Sequence, residues 1–472
     1  MALRKKRLMG VLLVGVLALM PSISAFGAID ESQESEKLYM MSDTEVESPV
    51  RVAIKKEGID TKVAINPDAE YSFEGVLSAE NATMLFEENS KKVAAALNNP
   101  NVRTVTITEG TYQLLKDFTD SYLEVYLTKE MPDLEVYYDL SSKARKENEL
   151  LVEAFAYHTA LAKSNKVESV DSTLNITEIT PVADNVDEIL FYLQSTLHTN
   201  QGNENGGTWF LAHTAKTADG HKLLKLWIQD YAYEMMQNKL TKNYLSKDVE
   251  ISKDALAQDI LNEMNLNYER NLKGPAESNN EPDDKIGNSS VQPHKSTLTY
   301  DREAVAKAAQ KYAYNYNTLF VEETNDCTNY VSQCIWQSPG WTFDRIGNNN
   351  DVKWACAKNS SGKYKYETLS WVGVNELWKY FQINDSPSQA GTVYGISATT
   401  SGYDKSNVQV GDVIQFHNGS IWRHSVIVSK KEGNTVYCAA HTDNQDAKPL
   451  DDYLRTYSSY RVAHINNFIT SY

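Results

Sequence analysis

The chain has 472 residues and a formal net charge of −17, with 46 Lys/Arg against 63 Asp/Glu. Residues 300–472 are near neutral, so about −20 falls on residues 28–299 once the four cations of the first 27 are set aside. An anionic body of this kind argues against a nucleic-acid partner, because phosphate binding needs a cationic face, and it speaks against charge attraction to anionic wall polymers.

At the start, "M-A-L-R-K-K-R" precedes an apolar run of 13 residues and then the small residues of "S-I-S-A-F-G-A". That run is too short to cross a bilayer, and the order of the three parts predicts a secretory signal peptide over residues 1–27. The expectation is a secreted protein, extracellular or associated with the cell wall, with no stable membrane insertion. The remaining length predicts two or three domains.

Residues 30–60 are acidic and weakly periodic. Helical spacing covers about 79–98 and again 142–164. Four strand-like runs follow, "L-N-I-T-E-I-T-P-V", "E-I-L-F-Y-L-Q-S-T-L", "T-W-F-L-A-H-T-A" and "K-L-L-K-L-W-I-Q", with "N-Q-G-N-E-N-G-G" read as a loop between the second and third. A helix followed by an antiparallel meander predicts an α+β accessory domain over 60–250, similar in outline to a cystatin-like cone. His158, His198, His213 and His221 fall here without metal-ligand spacing. Residues 251–270 form a connecting helix. The Pro-, Gly-, Asn- and Ser-rich stretch 271–296 is a linker. A compact domain over 297–472 follows, with six of the eight tryptophans.

In that domain, residues 300–317 carry a helical apolar stripe with Asp301 and Glu303 in its first turn. "N-D-C-T-N-Y-V-S-Q" (325–333) starts a second helix, since Val331, Cys334 and Ile335 continue from Cys327 at helical spacing. Asn325 or Asp326 is the N-cap. A thiol in a first helical turn meets orphan backbone N–H groups and the positive dipole end, which favour thiolate and can receive an oxyanion. Asp326, Thr328 and Asn329 are expected to keep its approach wet. Cys334 lies about 10 Å away along the same helix, beyond disulfide reach. The four cysteines are therefore expected to be reduced and mostly buried.

The partners of such a thiol come from "W-R-H-S-V-I-V-S" (422–429) and "V-Y-C-A-A-H-T-D-N" (436–444), a predicted hairpin closed at Gly433-Asn434. A two-residue turn pairs His424 with Asp443, whereas a four-residue loop pairs it with His441. Both registers place His424, Ala439 and His441 on one face. No C-x-x-C pair or H-E-x-x-H helix suggests a metal, and no cofactor motif is present.

These residues carry a resemblance. "Y-D-R-E-A-V", "D-C-T-N-Y-V-S-Q", "S-W-V-G-V-N-E-L-W-K-Y-F", "G-D-V-I-Q-F", "H-S-V-I-V" and "H-T-D-N" resemble the putative amidase domain family, relatives of the NlpC-type and CHAP-type papain-like cysteine amidohydrolases. The resemblance implies an α+β domain with a nucleophile helix packed on an antiparallel sheet. It also implies cleavage of amide bonds in cell-wall peptidoglycan or another peptide. Carried onto this sequence, Cys327 is the nucleophile, His424 the general base and His441 the third member, with Asp443 and Asn444 in reserve. Asp326, Asn329 and Trp422 are the candidate substrate-facing residues, with Trp341 and Trp354 beside Trp422 in a possible cleft. Two other classes use similar residues: transglutaminase-type acyl transfer, and a wall or spore-surface binding protein that keeps the fold without the chemistry.

Overall fold

The chain is described in a computed structural model over residues 50–55, 82–99, 103–244, 252–273, 295–338, 354–385, 395–401 and 407–471. The predicted signal peptide and most of the predicted linker lie outside these residues.

Strand β1 (Val50–Lys55), helix α1 (Ala82–Leu97) and strand β2 (Arg103–Thr108) come first, and β1 and β2 pair in parallel. Helix α2 (Glu109–Thr128) starts where Thr108 Oγ1 accepts from the Thr111 N–H, a side-chain cap with an acidic residue just after it. The parallel pair and α2 were not legible in the periodicity. Helix α3 (Lys143–Ala162), capped by Ser142, is the expected helix, and its apolar side is buried at Leu151, Val152 and Phe155. It is followed by the meander β3 (Val167–Ala183), β4 (Val186–Thr199), β5 (Gly202–Thr217) and β6 (Gly220–Ile228).

One expectation fails inside the meander. The residues read as a loop, "N-E-N-G-G", belong to β5, whose ladder with β4 runs without a break from Gly202 to Ala215. The glycines allow close approach. A Cβ on Gly207 would lie 1.8 Å from the Tyr192 hydroxyl, and one on Gly206 would lie 2.8 Å from the Gln445 amide.

Helices α4 (Tyr231–Asn243) and α5 (Lys253–Leu272) complete the N-terminal part. Next come β7 (Lys295–Thr299), α6 (Arg302–Tyr312), α7 (Cys327–Trp336), a small hairpin of β8 (Cys356–Lys358) and β9 (Tyr364–Glu367), α8 (Leu369–Val372), α9 (Val374–Asp385) and β10 (Gly395–Ser401). The C-terminal run is β11 (Val413–His417), β12 (Trp422–Glu432), β13 (Thr435–Ala440), β14 (Asn444–Pro449), α10 (Leu450–Thr456) and β15 (Ser459–Ser471). The fold is mixed α/β with an antiparallel sheet ordered β10-β15-β11-β12-β13-β14-β5-β4-β3, with β6 on β5 and β7 on β15.

The segments on either side of the 271–296 stretch are joined by β14, which pairs Asn444 with Gly207 and Gln445 with Gly206. Lys163, 7% exposed, lies 3.0 Å from Glu204 and 3.4 Å from the fully buried Asp452. Asp452 also accepts from the Ser164 N–H at 2.7 Å, and Asn271 donates to the Leu454 and Tyr457 carbonyls at 2.8 Å each. Removing one member of a buried ion pair strands the other. Asp452→Ala should therefore lower stability by about 3–5 kcal/mol, read by urea unfolding.

Candidate active site

Helix α7 begins at Cys327, and Asp326 is its N-cap residue, but the Asp326 carboxylate makes no capping bond to the helix. Its Oδ1 accepts from the Glu323 N–H at 3.0 Å and from Asn329 Nδ2 at 2.8 Å, while Oδ2 meets His441 Nδ1. Asn329 is fully buried, and its Oδ1 accepts from Trp371 Nε1 at 2.7 Å. Both side chains are thus bound inward to the protein. The wet approach expected from Asp326, Thr328 and Asn329 is absent because all three are buried.

Cys327 itself is 2% exposed and belongs to the N-terminal core that includes Phe86, Trp227 and Tyr231, whereas Val331, Cys334 and Ile335 of the same helix lie in the C-terminal core. Burial pushes its thiol pKa up. The Ser425 N–H, the Tyr231 and Thr328 hydroxyls and the Arg423 charge act in the opposite direction. The resting group is therefore a thiol, and the thiolate favoured by the sequence argument is outweighed by desolvation. All four cysteines are free and buried.

The hairpin closes with a two-residue turn, since Glu432 pairs with Thr435. A bulge between Val428 and Lys430 then shifts the register by one, so Ile427 faces Ala439 and Val428 faces Cys438. That single extra residue corrects the sequence reading, because a one-residue slip changes which side chains share a face. Val426, Val428, Cys438 and Ala440 lie in one core, and Ile427 and Ala439 in another. By alternation His424 belongs with the first group, not with Ala439. Its ring contacts Tyr231 at 5.1 Å, Tyr453 at 5.9 Å and Tyr457 at 6.1 Å.

His424 is fully buried, and burial lowers its pKa to about 3; Asp443 opposes the shift while Lys448 and Arg423 add to it. Neither ring nitrogen has a hydrogen-bond partner among the described residues, Cys327 included. His441 behaves differently. Its Nε2 donates to the Tyr312 carbonyl at 2.7 Å, its Nδ1 is held by Asp326, and its ring lies between Tyr316 and Tyr330 at 4.1 and 4.0 Å. Both nitrogens are committed away from His424, so His441 anchors the start of α7. His441→Ala would leave the Asp326 carboxylate buried without its partner. A loss of about 3–5 kcal/mol in urea unfolding is expected.

Asp443 is the acid that reaches His424 electrostatically. It accepts from Lys448 Nζ at 2.7 Å and Gln445 Nε2 at 3.0 Å. Against its burial, the Lys448 charge holds it below the usual range. Asn444 instead accepts from the Tyr316 hydroxyl at 3.4 Å. Trp422 is half-buried under the Arg461 guanidinium, 4.0 Å from its ring centroid. Trp354 is core, donating to Ser332 Oγ at 3.0 Å, and Trp341 lies outside the described residues.

The sequence reading missed the residues that α4 brings. Asp230 is the N-cap of α4, its Oδ1 accepting from the Ala232 N–H at 2.6 Å. Tyr231 reaches both Cys327 and His424. Glu234 accepts from Arg423 Nε at 2.8 Å, and Arg423 lies over the Tyr231 ring at 4.8 Å. An Asp directly before "Y-A-Y-E-M-M" is a legible helix start. Nothing in it announces a neighbour almost a hundred positions later.

Burial, followed by the Asp443 charge, raises the Asp230 pKa from 3.8 to about 7. A carboxyl raised on folding binds its proton more tightly in the native state. Stability should therefore fall as pH rises from about 4 to about 7 and then level off. Asp230→Asn keeps a cap acceptor and removes the titration. Its unfolding free energy should show a flatter pH profile across that window and exceed that of the parent at pH 8.

Residues 299–465, from the end of β7 into β15, match the family model described as Putative amidase domain. The match covers about a third of the length, and the description of that family suggests amide hydrolysis. Comparison with curated proteins and with solved structures gave no match.

Proposed function

We propose that the protein is a cysteine-dependent amidohydrolase of papain-like design, with Cys327 as nucleophile and His424 as base. The observation that carries this reading is a buried thiol at the start of α7, whose neighbour Thr328 donates to the hydroxyl of Ser425, next to His424, at 3.0 Å, within a segment matched by an amidase family. An imidazole that is neutral and has no hydrogen-bond partner among the described residues is available to take the thiol proton once the two groups are brought together. The sulfur then attacks the amide carbon, and the carbonyl oxygen takes up the displaced electron pair beside backbone N–H groups. Collapse expels the amine, which takes the proton from His424, and leaves a thioester. Water activated by His424 hydrolyses the thioester and regenerates the thiol. Asp443 favours the imidazolium formed midway, and His441 holds the Asp326 end of the helix.

The substrate class proposed is peptidoglycan peptide or another peptide amide met outside the cell, consistent with the basic and apolar start of the chain. The meander that precedes the amidase domain serves as a cystatin-like accessory unit in this reading. Purified muropeptides incubated with the full chain should lose peptide mass. New isopeptide links in the presence of an added amine would instead indicate acyl transfer, and unchanged fragments would remove the wall substrate.

A further inference from the structure

The amidase family match begins at residue 299, yet Cys327 lies in a buried cluster whose other members all come from before it. Tyr231 is the first residue of α4, 1% exposed, in the same buried cluster as Cys327, and its ring lies 5.1 Å from that of His424. Three features fix this position. Phe86 stacks on the Tyr231 ring at 5.2 Å, and Arg423 covers it at 4.8 Å while paired with Glu234 of the same helix at 2.8 Å. Thr442 Oγ1 donates to the phenol oxygen at 3.5 Å. Thr442 holds φ at 81°, a left-handed conformation that a β-branched residue rarely adopts and that persists only where its surroundings impose it.

We propose that Tyr231 is a catalytic residue of this thiol site, contributed by the N-terminal segment: its hydroxyl turns to donate to the Cys327 sulfur as the thiolate forms and stabilises it. A phenol that accepts from Thr442 keeps its own proton free for the sulfur, and a donor to an ionised acceptor in a dry site is worth more than in water. The need for such a donor follows from burial. Cys327 is desolvated, and His424 is a weak base in its buried setting. Each fixed donor at the sulfur lowers the barrier to moving the proton between them. On this view the amidase domain does not hold its complete active site.

The inference rests on Cys327 as the nucleophile, and its test separates the two readings. In the full chain, Tyr231→Phe removes the hydroxyl and keeps the ring. The pH profile of Cys327 alkylation by iodoacetamide, with Cys327→Ser as the blank, should move to higher pH by about one unit. That shift is about a tenfold slower reaction at neutral pH. Turnover of a peptide amide should fall on the order of 100-fold in kcat with KM little changed, as when one charge-stabilising donor is lost. Thr442→Val, which removes the donor to the phenol, should shift the profile the same way by a smaller amount, and this reading survives even if Tyr231→Phe folds poorly. An unchanged profile in both variants overturns the role. Faster alkylation at every pH also overturns it, because Tyr231 would then be only a cover. A shifted profile in a chain that hydrolyses no amide supports the thiol donor while overturning the amidase reading.

Discussion

Replacing Cys327 by Ser should lower amide hydrolysis on the order of 10⁴-fold or more, the scale seen when a catalytic nucleophile is lost. Serine has nearly the same size, so the surrounding N-terminal core should survive. What changes is acidity. Burial already raises the thiol pKa, and a hydroxyl starts several units higher in the same dry surroundings. Rescue by a neighbouring thiol is not expected, because Cys334 is buried two turns along α7 and burial raises its pKa as well. Circular dichroism should confirm an unchanged fold, and kcat on a peptide amide is the measurement. Full activity would place the chemistry elsewhere in the chain.

His424→Ala should cost on the order of 10³-fold in kcat, within the range for losing a general base that also acts as the acid. The structure sharpens the reason. With a pKa lowered to about 3, His424 is neutral across the ordinary working range, and it gains a proton only when the thiol supplies one. The rate should therefore not fall on the acid side until the pH approaches that value, unless substrate entry rehydrates the ring and restores a more usual pKa. A pH–rate profile that collapses near pH 6 would show that the working site is wetter than the resting one. Unaltered kcat in His424→Ala would remove His424 from the mechanism.

Helix and strand periodicity made much of the fold legible. The helix at Lys143–Ala162 and all four meander strands stand where alternating and 3.6-residue spacing put them. Helix α7 starting at Cys327 was readable from an apolar stripe and an acidic residue before it. The short parallel pair β1–β2 was not, since a strand of 6 residues carries few repeats to count. Glycines 206 and 207 misled for a physical reason. Residues that break strands elsewhere are here the only ones small enough to let Tyr192 and Gln445 cross them.

For the site, the residue types were legible and their faces were not. A bulge at Ser429 is invisible in composition, yet it decides that His424 and Ala439 look in opposite directions. Ser429 is held there by its own hydroxyl, which donates to the Asp446 carbonyl at 2.6 Å. His441 read as a catalytic partner because the predicted hairpin put it on the face of His424 and the family resemblance gave it the third role. Its two acceptors, Asp326 and the Tyr312 carbonyl, come from 115 and 129 residues away, beyond any local pattern. Tyr231 was missed by the same kind of distance.

The strand pairing between β14 and β5 bears on the order of events during synthesis. Gly207 leaves the ribosome long before Asn444, and Ser164 waits for Asp452 across 288 residues. Contacts of such sequence separation form late, because the chain between them must first be drawn together. The thiol, the imidazole and the phenol come from three distant stretches that meet only when this seam closes. If Cys327 is the proposed nucleophile, a nascent or half-folded chain carries it without the imidazole and phenol proposed to assist it, and amide hydrolysis is expected only of the completed molecule.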